Sequence, residues 1–531
     1  MKPAEQHEKL NTRAAGIIGL AVMCSRVLGL IREQIFAALF GGGRFMDAFT
    51  AAFRIPNLLR DLFAEGALST AFVTTFSKTA ATDGSDAAWR LANKVITLAT
   101  VTLSLLTLLG VLFAPWIVSV LAPGFDSEKT QLTVVLTRIM FPFILLVSLA
   151  AVVMGMLNAR NVFGMPAMAS SFFNLGSIVG GVLIGYWLDP HWGPRALIGL
   201  AIGTLIGGAL QLGVQIPGLA RLGYVFRPDF RWRDAGVKAM LLLMGPSVIA
   251  ASSTQINVMV NTVFASQLGD GPVFWLSIAF RLMQLPLGLF GVALGTVSLP
   301  LLARLAASGN THGFRSELAR SMRLSFLLTI PATIGLMLLA EPILSVLYQH
   351  GKFTAAETAQ AAGALRFYAV GLCGYATLKV LINAFYAIDK RKTPMIISFI
   401  AVGLNLLFNW FFTFHLGWGH RGLALSTGCI ATINFFILYW LMRRHLQRLE
   451  TTAMLQLVGK TLLAGALLAG ICWAGQHWLL AQWQTMPFLP KLGALLLTIT
   501  LAGSGFFACA LLLRIPELDA LMAGVRRRLK R

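Results

Sequence analysis

The sequence predicts an all-α polytopic membrane protein: fourteen transmembrane helices, in two six-helix lobes related by an internal repeat, with two more helices at the C-terminus. Three observations predict it. The 531 residues are 57% hydrophobic and only 12% charged, with a mean hydropathy of +0.74, whereas about a quarter of the residues in a soluble domain are charged. Apolar runs of about 20 residues, enough to cross a bilayer as a helix, recur from end to end. The second half of the chain also echoes the first.

The runs lie near 14–40, 45–77, 92–121, 131–158, 165–187 and 196–219 in the first half. They continue at 237–267, 272–303, 321–348, 362–388, 394–414 and 422–442, then at 455–480 and 491–513. The first is too long and too polar at its centre for a cleaved signal peptide. Basic residues cluster in alternate connections: Lys2/Lys9/Arg13, Lys78/Arg90/Lys94, Arg160, then the stretches 221–238, 304–323, 390–392 and 443–448, and the tail 526–531. The intervening connections hold at most one each, such as Arg44, Lys129, Arg195, Lys352, Arg421 and Lys491. The net charge of +22 therefore follows the membrane, which argues against nucleic acid as a partner and places both termini in the cytoplasm.

An offset of about 227 residues carries Phe53-Arg54 onto Phe280-Arg281 and Phe63 onto Phe290. In the same order, VSVLAPGF (118–125) echoes LSVLYQHGKF (344–353), and LNARNVFGMP (157–166) echoes INAFYAIDKRKTP (382–394). Six helices per repeat give both halves the same orientation, and repeated-lobe transporters hold their substrate between lobes that rock. The expected domains are 1–233, 234–448 and a terminal part, 449–531, with helices 13 and 14 and a basic cytoplasmic tail. Pro56 and Pro286 are expected to interrupt the second helix of each lobe near its Phe-Arg pair.

Seven arginines fall well inside predicted spans, away from their edges: Arg26, Arg32, Arg54, Arg60, Arg138, Arg281 and Arg366. Each costs about 2.5–3.5 kcal/mol at mid-membrane on insertion scales, so such residues face water or a partner. Glu33 is seven residues from Arg26 and shares its face; Asp47 sits near the outer surface. Arg54, Asn57, Asp61 and Glu65 follow at spacings of three, four and four, one stripe of a helix on which Arg54 and Asp61 can pair. The arginines outnumber nearby carboxylates, and Arg281 stands between Phe280 and Gln284 without an acidic neighbour. Surplus guanidinium forks suit an anion, phosphate above all. Arg138, Arg366 and Lys379 can equally snorkel to an interface.

Enzyme chemistry finds no support. The eight histidines are scattered, the five cysteines lie singly in apolar spans, and no metal spacing, nucleophile elbow or phosphate-cradling loop occurs. No cofactor is expected; an ion of unknown identity or the membrane potential would supply the drive.

The segments SRVLGLIRE (25–33), MDAFTAAFRIPNLLRDLFAEGALSTAFV (46–73), FRLMQLPLGLFGVALGT (from residue 280) and QHGKFT (349–354) together resemble the MurJ/MviN family of lipid II flippases, within the superfamily that also holds multidrug and polysaccharide exporters. The resemblance covers about residues 14–513. It implies the fourteen-helix fold, and transport of the undecaprenyl-diphosphate-linked disaccharide-peptide precursor of peptidoglycan from the inner to the outer leaflet of the bacterial cytoplasmic membrane. Arg26, Arg32, Asp47, Arg60 and Arg281 match the family's functionally required charges. Helices 13 and 14 are implied to border a groove for the lipid tail. Phe280 and Gln284 depart from the acidic residues that often flank the helix 8 arginine.

The expected mechanism is alternating access. Arg26, Arg32, Arg60 and Arg281 hold the anionic headgroup in a cationic cavity between the lobes, while Asp47, Arg54, Asp61, Glu65 and Glu33 gate or form ion pairs. Expected partners are lipid II, membrane lipids and cell-wall synthesis proteins. The alternatives are a multidrug or polysaccharide-lipid exporter of the same superfamily, and a scaffold for wall synthesis.

Overall fold

The computed structural model describes residues 3–62 and 68–518, and among these it is helical with no strand. Ten helices are long and apolar enough to cross a membrane, and the bent pair Ala355–Val370 and Leu372–Ala387, 43° apart, makes an eleventh. The three remaining predicted spans are helical where described: Pro3–Phe40, the pair Arg44–Leu59 and Leu68–Thr82, and Ala235–Ser266. The first two carry the charges that lower their hydropathy: Arg26, Arg32 and Glu33 on one, Asp47 and Arg54 on the other. Fourteen spans are thus consistent with the structure, although length and composition single out no more than eleven. Phe63, Glu65 and the basic tail lie outside the described residues.

Contacts divide the chain into two compact units, Met1–Gly271 and Pro272–Arg531. The repeat places a boundary at 233/234, but by packing helix Ala235–Ser266 belongs to the first unit. Its N-cap Asp234 takes the Lys94 ammonium at 2.5 Å, and Ser266 Oγ accepts the Gly124 N–H at 3.3 Å. The last two spans, Thr451–Leu479 and Phe488–Leu512, pack within the second unit. Leu457, Ala464, Leu468, Leu495, Ala502 and Phe506 close a buried cluster with Leu327, Leu339 and Val346. Arg323 fastens the same region, paired to both Glu450 and Glu517.

The repeat reappears as local geometry. In the first unit helix Ser85–Leu112 breaks at Phe113 (φ −88°, ψ 7°) before Ala114–Leu121; in the second, Thr311–Leu338 breaks at Leu339 (φ −92°, ψ 15°) before Ala340–Tyr348. Each break is followed by a capped helix. Asp126 caps Ser127–Met140, accepting from Glu128 N and Lys129 N, and Thr354 caps Ala355–Val370 through a capping box with Glu357. Both prolines act where expected. Pro56 lies inside Arg44–Leu59, with π geometry starting at Arg60, and Pro286 ends Pro272–Pro286, with a π-helix over Leu287–Val292. A proline removes an N–H donor, and the following turn widens to find other acceptors.

Small residues set the closest helix pair, Gly164–Leu188 against Pro194–Gly213. A Cβ on Gly203 would stand 2.3 Å from Gly181 N, and one on Gly207 2.4 Å from Phe173 O. Gly371, at the 43° bend, is equally constrained, since its Cβ would stand 2.3 Å from Gly428 Cα. These contacts are with backbone, which cannot step aside as a side chain can. Gly203→Ala should therefore cost about 1–3 kcal/mol by overpacking. Gly213→Ala, with nothing within 4 Å of its Cβ, should cost nothing, and thermal unfolding of the two purified variants separates them.

Candidate functional site

The first helix presents its charges at different degrees of burial. Arg26 is exposed, while Arg32 and Glu33 are half-buried. Arg32 lies about 9 Å further along the axis, and its guanidinium carbon is 5.0 Å from the Phe173 ring centroid. Phe173 belongs to Gly164–Leu188, which approaches the first helix at Gly29, where a Cβ would meet the Asn174 amide at 3.6 Å. That amide donates to Ser25 O and Ser170 O, both at 3.1 Å, tying the arginine-bearing turn to its neighbour.

Asp47 is fully buried. It accepts from Lys129 Nζ at 3.0 Å and from the Gly271 N–H at 2.7 Å. Lys129 is only 2% exposed, also pairs with Asp270 at 2.9 Å and sits 4.0 Å from the Phe125 ring centroid. Next to it, Arg44 makes a fork onto Asp126 at 2.7 and 2.6 Å and reaches Glu128 at 3.1 Å. Asp126 lies just outside the span; the Lys129 amide first, then the Arg44 fork, hold its carboxyl below the ordinary carboxylate range. Lys129 reaches Asp47 from the next outer connection. A buried carboxylate stays charged at low cost only beside a buried cation and further donors, and both are present here.

Arg60 and Asp61 are chain neighbours joined side chain to side chain. Arg60 Nε and Nη2 donate to Asp61 Oδ1 at 3.2 and 2.8 Å, and Gln255 Nε2 donates to Asp61 Oδ2 at 3.2 Å. The expected stripe put Asp61 with Arg54, and the structure gives it to Arg60 and Gln255 instead. Arg60 is the chain neighbour of Asp61 and Gln255 comes from helix Ala235–Ser266, so neither pairing follows helical spacing. Arg54 is half-buried, and Glu65 lies outside the described residues.

In the second unit Arg281 is half-buried, nine residues into Pro272–Pro286. Its neighbour Phe280 packs on Tyr368, with ring centroids 5.3 Å apart, and Gln284 is exposed. Two other arginines acquire structural roles that match across the repeat. Arg138 Nε donates to Val111 O at 3.3 Å and Arg366 Nε to Met337 O at 3.3 Å, each a carbonyl at the broken helix end described above. Arg366 also pairs with Glu341 at 2.9 Å. The last carbonyls of a helix have no partner in their own ladder, and in a membrane a cation is well placed to supply one. Lys379 is exposed.

The residues missed from sequence are Lys129, Asp270 and Gln255. In the sequence Lys129 stands only as the single basic residue of an outer connection. The run Asp126-Ser127-Glu128 ahead of an apolar helix is an N-cap signal that would have drawn Lys129 into the first turn of the span. Nothing local marks Gln255 or Asp270 as partners of residues 194 and 141 positions earlier.

A family model described as lipid II flippase MurJ matches residues 36–493. Among curated relatives, the lipid II flippase MurJ of Burkholderia cenocepacia is 37% identical over 429 residues, covering 80% of this chain and 82% of that protein. The probable lipid II flippase MurJ of Rhizobium tropici is 36% identical over 528 residues, covering 97% and 96%. A solved structure of lipid II flippase MurJ in an inward closed conformation aligns with a TM-score of 0.74 at 26% identity, over 92% of this chain and 98% of that one. An inward-facing multidrug resistance transporter of the MATE family and MOP superfamily aligns at 0.65 with 15% identity, a likeness of fold, over 81% and 94%.

Lys129→Met takes the Lys129 charge away from the buried Asp47 carboxylate, and should cost about 3–5 kcal/mol. Adding Asp47→Asn should recover a large part of it, which thermal unfolding of the single and double variants would register.

Proposed function

The chain belongs to the MurJ family of lipid II flippases, and from that premise we propose that it carries lipid II from the inner to the outer leaflet of the bacterial cytoplasmic membrane. The family match over residues 36–493 carries the reading. The activity is transport, not catalysis. The physical chemistry of the cargo agrees with the charges described above: a diphosphate needs cations in a hydrated setting, while its isoprenoid tail stays in the bilayer.

Arg26, Arg32, Arg60 and Arg281 bind the diphosphate region, planar forks matching phosphate oxygens better than point charges would. Arg60 comes already oriented by Asp61, so a phosphate displaces or shares an existing partner instead of meeting a flexible side chain. Asp47 and Lys129 brace the outer end and take part in gating. The cycle is alternating access, with both termini in the cytoplasm and no bound cofactor. The membrane potential, worth about 2.3 kcal/mol per charge per 100 mV, acts on the charged states. A drug exporter is the weaker reading, because cationic drugs and a cationic site repel.

Two outcomes test this. Arg26→Ala and Arg281→Ala should each abolish accumulation of lipid II on the outer leaflet in protein that still inserts, while Arg138→Gln should lower thermal stability and leave flipping per folded molecule intact. If either of the first two flips normally, the headgroup assignment is wrong. Collapsing the potential alone should slow flipping, and collapsing proton and sodium gradients at constant potential should not.

A further inference from the structure

Residues 222–234 join helices Ile216–Arg221 and Ala235–Ser266 and hold five charged side chains. A topology signal requires only basic residues in water. This segment is instead bound along a membrane span. The Tyr224 hydroxyl donates to Asn93 Oδ1 at 2.6 Å, the Arg227 N–H donates to the same oxygen at 3.3 Å, and the Asp229 N–H donates to Thr97 Oγ1 at 3.1 Å. Asn93 and Thr97 are one turn apart on Ser85–Leu112, so the segment follows that helix for about 6 Å.

Held this way, the segment turns apolar side chains outward: Val225 is 66% exposed and Phe230 65%. Arg231 is committed to Asp229, at 2.9 and 2.8 Å, and Lys94 to Asp234. The exposed guanidinium groups of Arg227 and Arg233 have no carboxylate partner among the described residues. A cavity of about 570 Å³ opens beside Arg233, lined also by Lys94, Phe230, Arg231, Trp232 and Asp234. The Trp232 indole N–H is buried there without an acceptor.

Exposed rings beside uncompensated cations fit a surface that is apolar on one side and anionic on the other, which is the headgroup layer of a membrane. We propose that segment 223–233 is an interfacial anchor that binds an anionic phospholipid, with the phosphate held by Arg227, Arg233 and the Trp232 N–H and the upper acyl chain against Phe230. The site is separate from the arginines assigned to lipid II and does not depend on that assignment.

The full chain is titrated in mild detergent with phosphatidylglycerol or phosphatidylcholine brominated in the upper acyl chain. The fluorescence of Trp232 is taken as the difference between the protein and its Trp232→Phe variant. Quenching should need roughly ten-fold less phosphatidylglycerol than phosphatidylcholine. Arg227→Gln/Arg233→Gln should remove that preference at unchanged helicity and melting temperature, and Phe230→Ser should weaken quenching by both lipids. Equal quenching by the two lipids, or a preference that survives the double arginine change, overturns the proposal. So does a preference abolished by inorganic phosphate but not by chloride at matched ionic strength, which would mark a site for the free anion. If the Trp232 difference signal is quenched by neither lipid, no lipid binds there and the proposal fails.

Discussion

A charge inside a bilayer must be met by another charge, by a dipole or by water, and most of the polar architecture of this chain follows from that requirement. Asp47 shows it in the strictest form: no exposed surface, one buried ammonium at 3.0 Å and one backbone N–H at 2.7 Å. Lys129 satisfies it in turn with Asp47 and Asp270, and so three separate connections of the first unit are drawn to one point. The ion pair's net contribution to stability is modest once desolvation is counted, but the cost of removing one member is large.

The same requirement explains why equivalent arginines recur. A helix broken within a membrane exposes carbonyls that no water solvates, and both units break a helix at the matching place. Arg138 and Arg366 each donate to a carbonyl just before the break, at Val111 and Met337. A guanidinium can do this while keeping further donors for solvent or a carboxylate, and Arg366 uses one on Glu341. These arginines are thus part of the scaffold. Arg26, Arg32, Arg60 and Arg281 are the ones to which cargo binding is proposed.

Much of this was legible in advance. The helical class, the spans, the repeat and the two prolines follow from composition, period and order, because a bilayer imposes a length and a hydropathy that each segment must meet by itself. The charged residues were legible as a set, since each violates that local rule. Their pairings were not. Helical spacing lets Asp61 pair with Arg54, and the structure pairs it with its chain neighbour Arg60 and with Gln255 from a distant helix.

The sequence alone therefore determined that the chain crosses the membrane many times as helices, which residues could not be left to lipid, and the sign of the charge expected of a cargo. Tertiary structure alone decided which cation neutralises which carboxylate. It also decided which arginines mend broken helices, and that helix Ala235–Ser266 packs with the first unit. The physical reason is range. Burial of an apolar span is decided over some 20 neighbouring residues, whereas an ion pair forms only within about 4 Å, between side chains that, like Lys129 and Asp270, can stand far apart in the chain.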